Sequence, residues 1–182
     1  MATTSRRDWV EAALAILETA GSEALTIENV MKRLPVTKGS FYHHFKNYQD
    51  FKEQVLAFYE EERTLQIIQL AERETSPHAK LERVMQATLQ PSQLEVVMRA
   101  WALQDALVRD YQKRIDQRRL AYLEGLTVAL IDDPARALRM AQLFYCVYVG
   151  SQHLVPPIQG ISLAHLYQEA LPSLSFSADV SS

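Results

Sequence analysis

Apolar positions along this chain recur every three to four residues, and no segment sustains a two-residue alternation, so the pattern predicts an all-α protein. Trp9, Ala12, Ala13, Ile16, Leu17 and Ala20 mark one face of a first helix. Ser5 with Asp8 three residues later makes its start, and Gly21 its stop. Ile27, Val30, Met31 and Leu34 give the buried side of a short second helix capped by Thr26. A third follows in which Val36 precedes the cap Thr37 and Phe41 takes the fourth helical position, the spacing of a hydrophobic staple. Phe45, one turn after Phe41, extends that buried edge.

After a polar break at residues 47–50, a long fourth helix starts at Tyr48 or Gln49. Phe51, Val55, Phe58, Tyr59 and Leu65 form its inner side, and it fades at Glu72-Arg73-Glu74. Ser76-Pro77 opens a fifth helix, since proline is harmless at the first helical position, and Pro91 closes it. Ser92 and Glu95 form a capping box for a sixth, and Asp105 marks a break before a long seventh ending at Ile131. Asp133-Pro134 starts an eighth that runs to Pro156-Pro157, and Ser162 caps a short ninth to Ala170. The serine-rich end from Ser173 reads as a frayed tail. This order divides into a small domain, residues 1–50, and a larger helical domain, residues 51–182, with the fourth helix as the join.

Composition supports a packed protein, with 48% hydrophobic residues in 182. No apolar run approaches the roughly 20 residues of a membrane span, and the polar, basic start is not followed by the apolar stretch of a secretory signal. The single cysteine, Cys146, excludes an internal disulfide and fits a reducing, cytoplasmic setting. The net charge of −3 is unevenly spread. Residues 1–52 carry seven Lys/Arg against six Asp/Glu, and residues 32–52 carry Lys32, Arg33, Lys38, Lys46 and Lys52 against Asp50 alone. Positive charge therefore gathers at the second and third helices, where phosphates would be met.

The two short helices around residues 26–45 have the form of a helix–turn–helix, whose second helix enters the DNA major groove. With Phe41 and Phe45 inward, Lys38, Ser40, Tyr42 and His43 fall on or near the opposite side. Thr37 combines a cap with a hydroxyl for phosphate. Gly39 lets backbone approach phosphate closely, and as mere filler would cost a helix roughly 1 kcal/mol. His43 and His44, as helical neighbours, diverge by about 100° and cannot share one ion. No metal site and no catalytic residue is expected: the chain lacks a His-Glu-x-x-His pattern, a phosphate loop, a serine elbow and a nucleophilic cysteine signature.

The run Val36-Thr37-Lys38-Gly39-Ser40-Phe41-Tyr42-His43-His44-Phe45, after Gly21 and Leu25-Thr26-Ile27, resembles the DNA-binding domain of TetR-type transcriptional regulators over residues 6–58. Looser likeness extends to Arg99-Ala100-Trp101-Ala102 and to Arg118-Arg119-Leu120-Ala121-Tyr122-Leu123. The resemblance implies a homodimeric DNA-binding regulator, a repressor released from a palindromic operator by a small ligand. It implies DNA contacts by Thr26, Thr37, Lys38, Gly39, Ser40, Tyr42, His43, Lys46, Tyr48 and Lys52, and no cofactor beyond that small-molecule effector. Met31, Pro35 and Tyr48 depart from the family pattern, which commonly has a small residue, a glycine and a lysine there.

The resemblance also implies an effector pocket among the larger domain's big side chains: Met85, Leu89, Met98, Trp101, Leu107, Tyr111, Phe144 and Tyr148. Gln104, Gln142 and His153 are its candidate polar groups. Dimerisation is expected through the last two helices, by Leu138, Ala141, Tyr145 and Gln152 on one stripe of the eighth and by Leu166 on the ninth. Two rivals stand beside this reading: a helical ligand-binding or protein-interaction module without specific DNA binding, and an enzyme with a helical active site.

Overall fold

The computed structural model describes residues 4–34 and 36–172; Pro35 and the serine-rich tail lie outside them. Every regular element among the described residues is helical. The elements are α1 (Arg6–Ala20), α2 (Ile27–Arg33), α3 (Lys38–His44), α4 (Tyr48–Glu60), α5 (Gln66–Ala71), α6 (Pro77–Ala87), α7 (Gln93–Ala102), α8 (Ala106–Val128), α9 (Pro134–His153) and α10 (Gly160–Ala170). A 3₁₀ turn, Ser22–Ala24, joins α1 to α2, and a π-helical segment, Glu61–Leu65, joins α4 to α5.

Local chemistry sets most boundaries. Ser5 and Asp8 exchange both bonds of a capping box at the start of α1. Gly21 ends α1 at φ 78°, a left-handed value that glycine accepts without a Cβ clash, and its N–H bonds Leu17 O. The side chains of Thr26, Asn47, Ser76 and Asp133 accept amide bonds at the starts of α2, α4, α6 and α9. Several boundaries differ from the sequence expectation. The fifth expected helix stops at Ala87 instead of Pro91, and the seventh at Val128. The last starts at Gly160, with Gln159 and not Ser162 in the cap position.

Two compact units divide the chain: residues 1–62 with 93–113, and residues 63–92 with 114–182. The first is larger than the single cut at residue 50 implied, because it keeps all of α4 and adds α7 and the start of α8. Its α1 packs against α2, α4, α7 and the 3₁₀ turn. Trp9 is fully buried there, with Phe41 edge-on at 5.5 Å and Phe45 at 6.2 Å, and Phe51 stands 4.9 Å from Phe45. In the second unit, Leu81, Met85, Leu89, Leu123, Phe144 and Tyr167 belong to one core cluster drawn from α6, the turn after it, α8, α9 and α10. No helix among the described residues is long and apolar enough to cross a membrane.

Candidate nucleic-acid interface

Recognition-helix geometry begins with what α3 buries. Phe41 and Phe45 are inside the first unit, so the outer side of α3 is left with Thr37, Lys38, Gly39, Tyr42 and His43, all exposed, and Ser40 half-buried. Tyr42 is 54% exposed and leans edge-on against Phe41 at 5.2 Å. Thr37 holds the extended backbone of an N-cap (φ −90°, ψ 160°), yet its hydroxyl makes no capping bond. That corrects the expectation of a capping hydroxyl. Thr26 does use its hydroxyl, accepting from Asn29 N at 3.2 Å. A Cβ placed on Gly39 would meet only Thr37 Oγ1, at 3.8 Å, so packing within the chain does not require glycine there.

The corner after α3 is fixed by polar bonds. Asn47 Oδ1 accepts from Asp50 N at 2.9 Å, and Asp50 Oδ2 accepts from Lys46 N at 2.9 Å. Lys46 keeps an exposed side chain beside the end of α3. At the same end of α3, Arg6 Nη2 donates to His44 O at 2.8 Å, and the guanidinium carbon lies 5.7 Å from the Phe45 ring centre. Sequence reading missed Arg6. A signal was present: two arginines in the first turn of α1 oppose the helix dipole, which favours acidic groups there, and so need another purpose.

Two expected phosphate contacts are used inside the fold instead. Tyr48 donates its hydroxyl to Leu25 O at 2.7 Å. Burial, aided by the negative charge of Asp105, pushes its phenol up and keeps it a neutral donor. Lys52 is buried, its Nζ 2.7 Å from Asp105 Oδ2 and 6.0 Å from the Trp101 ring centre. Spacing placed Lys52 one turn after Tyr48 but could not show that Asp105, 53 positions away, takes its charge. Among the described residues, no group of three or more His, Cys, Asp or Glu is arranged to hold a metal ion.

The side chains expected to line a pocket divide between the units. Met98, Trp101, Gln104, Leu107 and Tyr111 lie in the first, and Met85, Leu89, Phe144 and Tyr148 in the second. Met85, Leu89 and Phe144 are core cluster members, because large apolar groups at helical spacing fill their own unit's interior first. Gln104, Gln142 and His153 are exposed. Tyr148 carries the Arg119 guanidinium 5.8 Å from its ring centre, and Arg119 also donates to Thr64 Oγ1 at 2.9 Å and to Arg63 O at 3.1 Å.

The expected dimer stripe is likewise corrected. Ala141 has no exposed surface, and buried Gln152 accepts from Ser92 N at 2.6 Å, so both face their own subunit. Tyr145 is half-buried and donates to Asp116 at 2.7 Å. Leu138 and Leu166 do face outward.

Residues 10–55, spanning most of α1 through the first turns of α4, match the sequence model of the bacterial regulatory proteins of the tetR family. Those residues carry the tetR-family DNA-binding domain. Solved structures agree in fold over nearly its whole length. A putative transcriptional regulator of the TetR/AcrR family is 21% identical with a TM-score of 0.78, over 93% of this chain and 98% of its own. A TetR-family regulator from Streptomyces coelicolor is 14% identical with a TM-score of 0.78, over 94% and 90%. E. coli NemR in its reduced form is 17% identical with a TM-score of 0.75, over 95% and 98%. At such identities these TetR-type structures establish the fold alone. No curated protein matches by sequence.

Proposed function

We propose that this TetR-type protein is a DNA-binding transcriptional repressor that works as a homodimer on a palindromic operator and is released by a small ligand. The observation that carries the DNA-binding reading is the outer side of α3. Its hydroxyl, ammonium, phenol and imidazole groups lie exposed while the opposite side is bolted into an aromatic core. Lys38 and Ser40 occupy the first turn, where side chains of a recognition helix reach base edges. Gly39, with nothing in the chain to require it, fits close approach of a phosphate. Lys46 supplies charge beside the end of the helix. Lys52 and Tyr48 are withdrawn from the proposed contact set.

A two-fold arrangement is supported by exposed apolar side chains on α9 and α10, which pack against each other. Leu138, Leu143, Ile161 and Leu166 are there between 41% and 60% exposed. Apolar groups gathered on neighbouring helices favour a covering partner, and a second copy would place two recognition helices about 34–36 Å apart, one DNA turn. The internal use of Tyr48 and Lys52 favours one second reading, a helical module that no longer binds DNA specifically.

Selection of duplexes from a random pool, followed by fluorescence anisotropy, separates the two. Lys38→Ala should weaken the selected duplex by roughly 1–3 kcal/mol and relax one base-pair preference. Lys46→Ala should weaken all duplexes alike and flatten the salt dependence. Failure to enrich any sequence would favour the second reading.

A further inference from the structure

Helix α7 starts at Gln93, well after the helix–turn–helix ends at His44, yet it belongs to the same compact unit and packs on α1 and the 3₁₀ turn. Together with the corner that follows it, α7 also meets α4 near both ends. Near the start of α4, Lys52 meets Asp105, at the corner between α7 and α8. Near the end of α4, Tyr59 donates to Glu95 Oε2 at 2.6 Å. Lys52 and Tyr59 are seven residues apart and so share one side of α4.

Neither grip is an ordinary surface contact. Glu95 is 1% exposed and is also bound by Arg99, through Nε at 2.9 Å and Nη2 at 2.8 Å. Asp105 serves two helices at once: Oδ2 takes Lys52, and Oδ1 accepts from Val108 N at 3.2 Å, capping α8. Burial would raise the Asp105 carboxyl, but the Lys52 ammonium and the amides of α8 outweigh it and hold the group below its usual value. Asp105 is therefore a fixed anion that sets where Lys52, and with it the first turn of α4, can sit. That first turn is joined to α3 by the Asn47–Asp50 corner.

We propose that Asp105 and Lys52 are positioning residues for DNA recognition: their ion pair makes α7 a brace for α4 and so holds α3 at the angle that fits the major groove. The proposal rests on the DNA-binding reading given above. It assigns Lys52 a role opposite to a phosphate contact, and the two roles respond differently to loss of Asp105.

The experiment uses the full chain and the duplex that the wild-type protein enriches from a random pool. Asp105→Asn and Lys52→Met should each weaken binding roughly tenfold, the scale of losing one partner of a half-buried ion pair. The double variant should be no weaker than either single one, as for two residues acting through one bond. The slope of log Kd against log salt should stay at its wild-type value in all three, and Asp105→Glu should restore most of the affinity. Hydrogen exchange gives an arm free of DNA: amides of α3 and the first turn of α4 should exchange faster in Asp105→Asn, with helix content unchanged by circular dichroism. If Lys52→Met flattens the salt slope by about 0.9 while Asp105→Asn binds as well as wild type or better, Lys52 is a phosphate contact and the proposal is overturned. Unchanged affinity and exchange in both variants overturn it as well. If the wild type enriches no duplex, the DNA-binding reading fails separately, and exchange alone decides whether Asp105 positions α3.

Discussion

Arg6 donates to the carbonyl oxygen of His44 at 2.8 Å, joining two residues 38 positions apart. His44 is the last residue of α3, where carbonyls lack amide partners within the helix and the dipole is negative. A guanidinium there satisfies one such oxygen and places its charge favourably, with its carbon 5.7 Å from the Phe45 ring centre. The first turn of α1 thus fixes the far end of the recognition helix.

Replacing Arg6 with Ala should weaken binding to the selected duplex by roughly threefold to tenfold, as expected for loss of one charge-assisted hydrogen bond. The salt slope should remain as in wild type, because the cation is spent on a carbonyl and not on phosphate. A slope reduced by about 0.9 would instead identify Arg6 as a phosphate contact. Anisotropy titrations at several salt concentrations make the measurement.

Alkaline stability should depend on Tyr167. Its hydroxyl lies 3.0 Å from Thr88 Oγ1 inside the second unit's core, and burial pushes the phenol up to about 12, against a small opposing pull from the Thr88 bond. A phenol raised on folding contributes stability that is present below its unfolded value of 10 and is lost as pH rises through the folded value. Between pH 10 and 12, wild-type protein should lose on the order of 2–3 kcal/mol that Tyr167→Phe does not lose. Urea melts across that range compare the two, and parallel curves would remove Tyr167 as the cause.

Assembly should depend on Leu143 and Leu138, which point out of α9, and not on Ala141, which points in. Leu143→Glu puts a charge at one of the exposed apolar positions of α9 and should yield folded monomers with greatly reduced operator binding. Ala141→Glu should unfold the second unit instead, since no exposed surface remains at that position. Light scattering and circular dichroism on both variants separate loss of assembly from loss of fold. A wild-type monomer at micromolar concentration would remove the homodimer from the proposed function.

Local rules of capping, proline placement and helical period were sufficient for much of this protein. They are short-range physics, acting over one or two turns, and so they are written in adjacent residues. Ser5, Gly21, Thr26 and Ser76 mark helix ends where their chemistry implies, and Phe41 and Phe45 turn inward as their spacing demands. Other decisions belonged to tertiary structure. Lys52 read as a phosphate contact because it lies one turn after Tyr48, where the family commonly has a lysine, but its partner Asp105 stands 53 positions away and reaches it only in the folded unit. Ala141 and Gln152 fell on the same helical stripe as outward Leu138, and only the core beneath α9 and the amide of Ser92 decided which of them turn inward. Periodicity gives a helix its apolar side. Whether an apolar or charged group at the border of that side meets its own core, a partner or solvent is set by which other helix arrives there, and that depends on contacts between residues far apart in the chain.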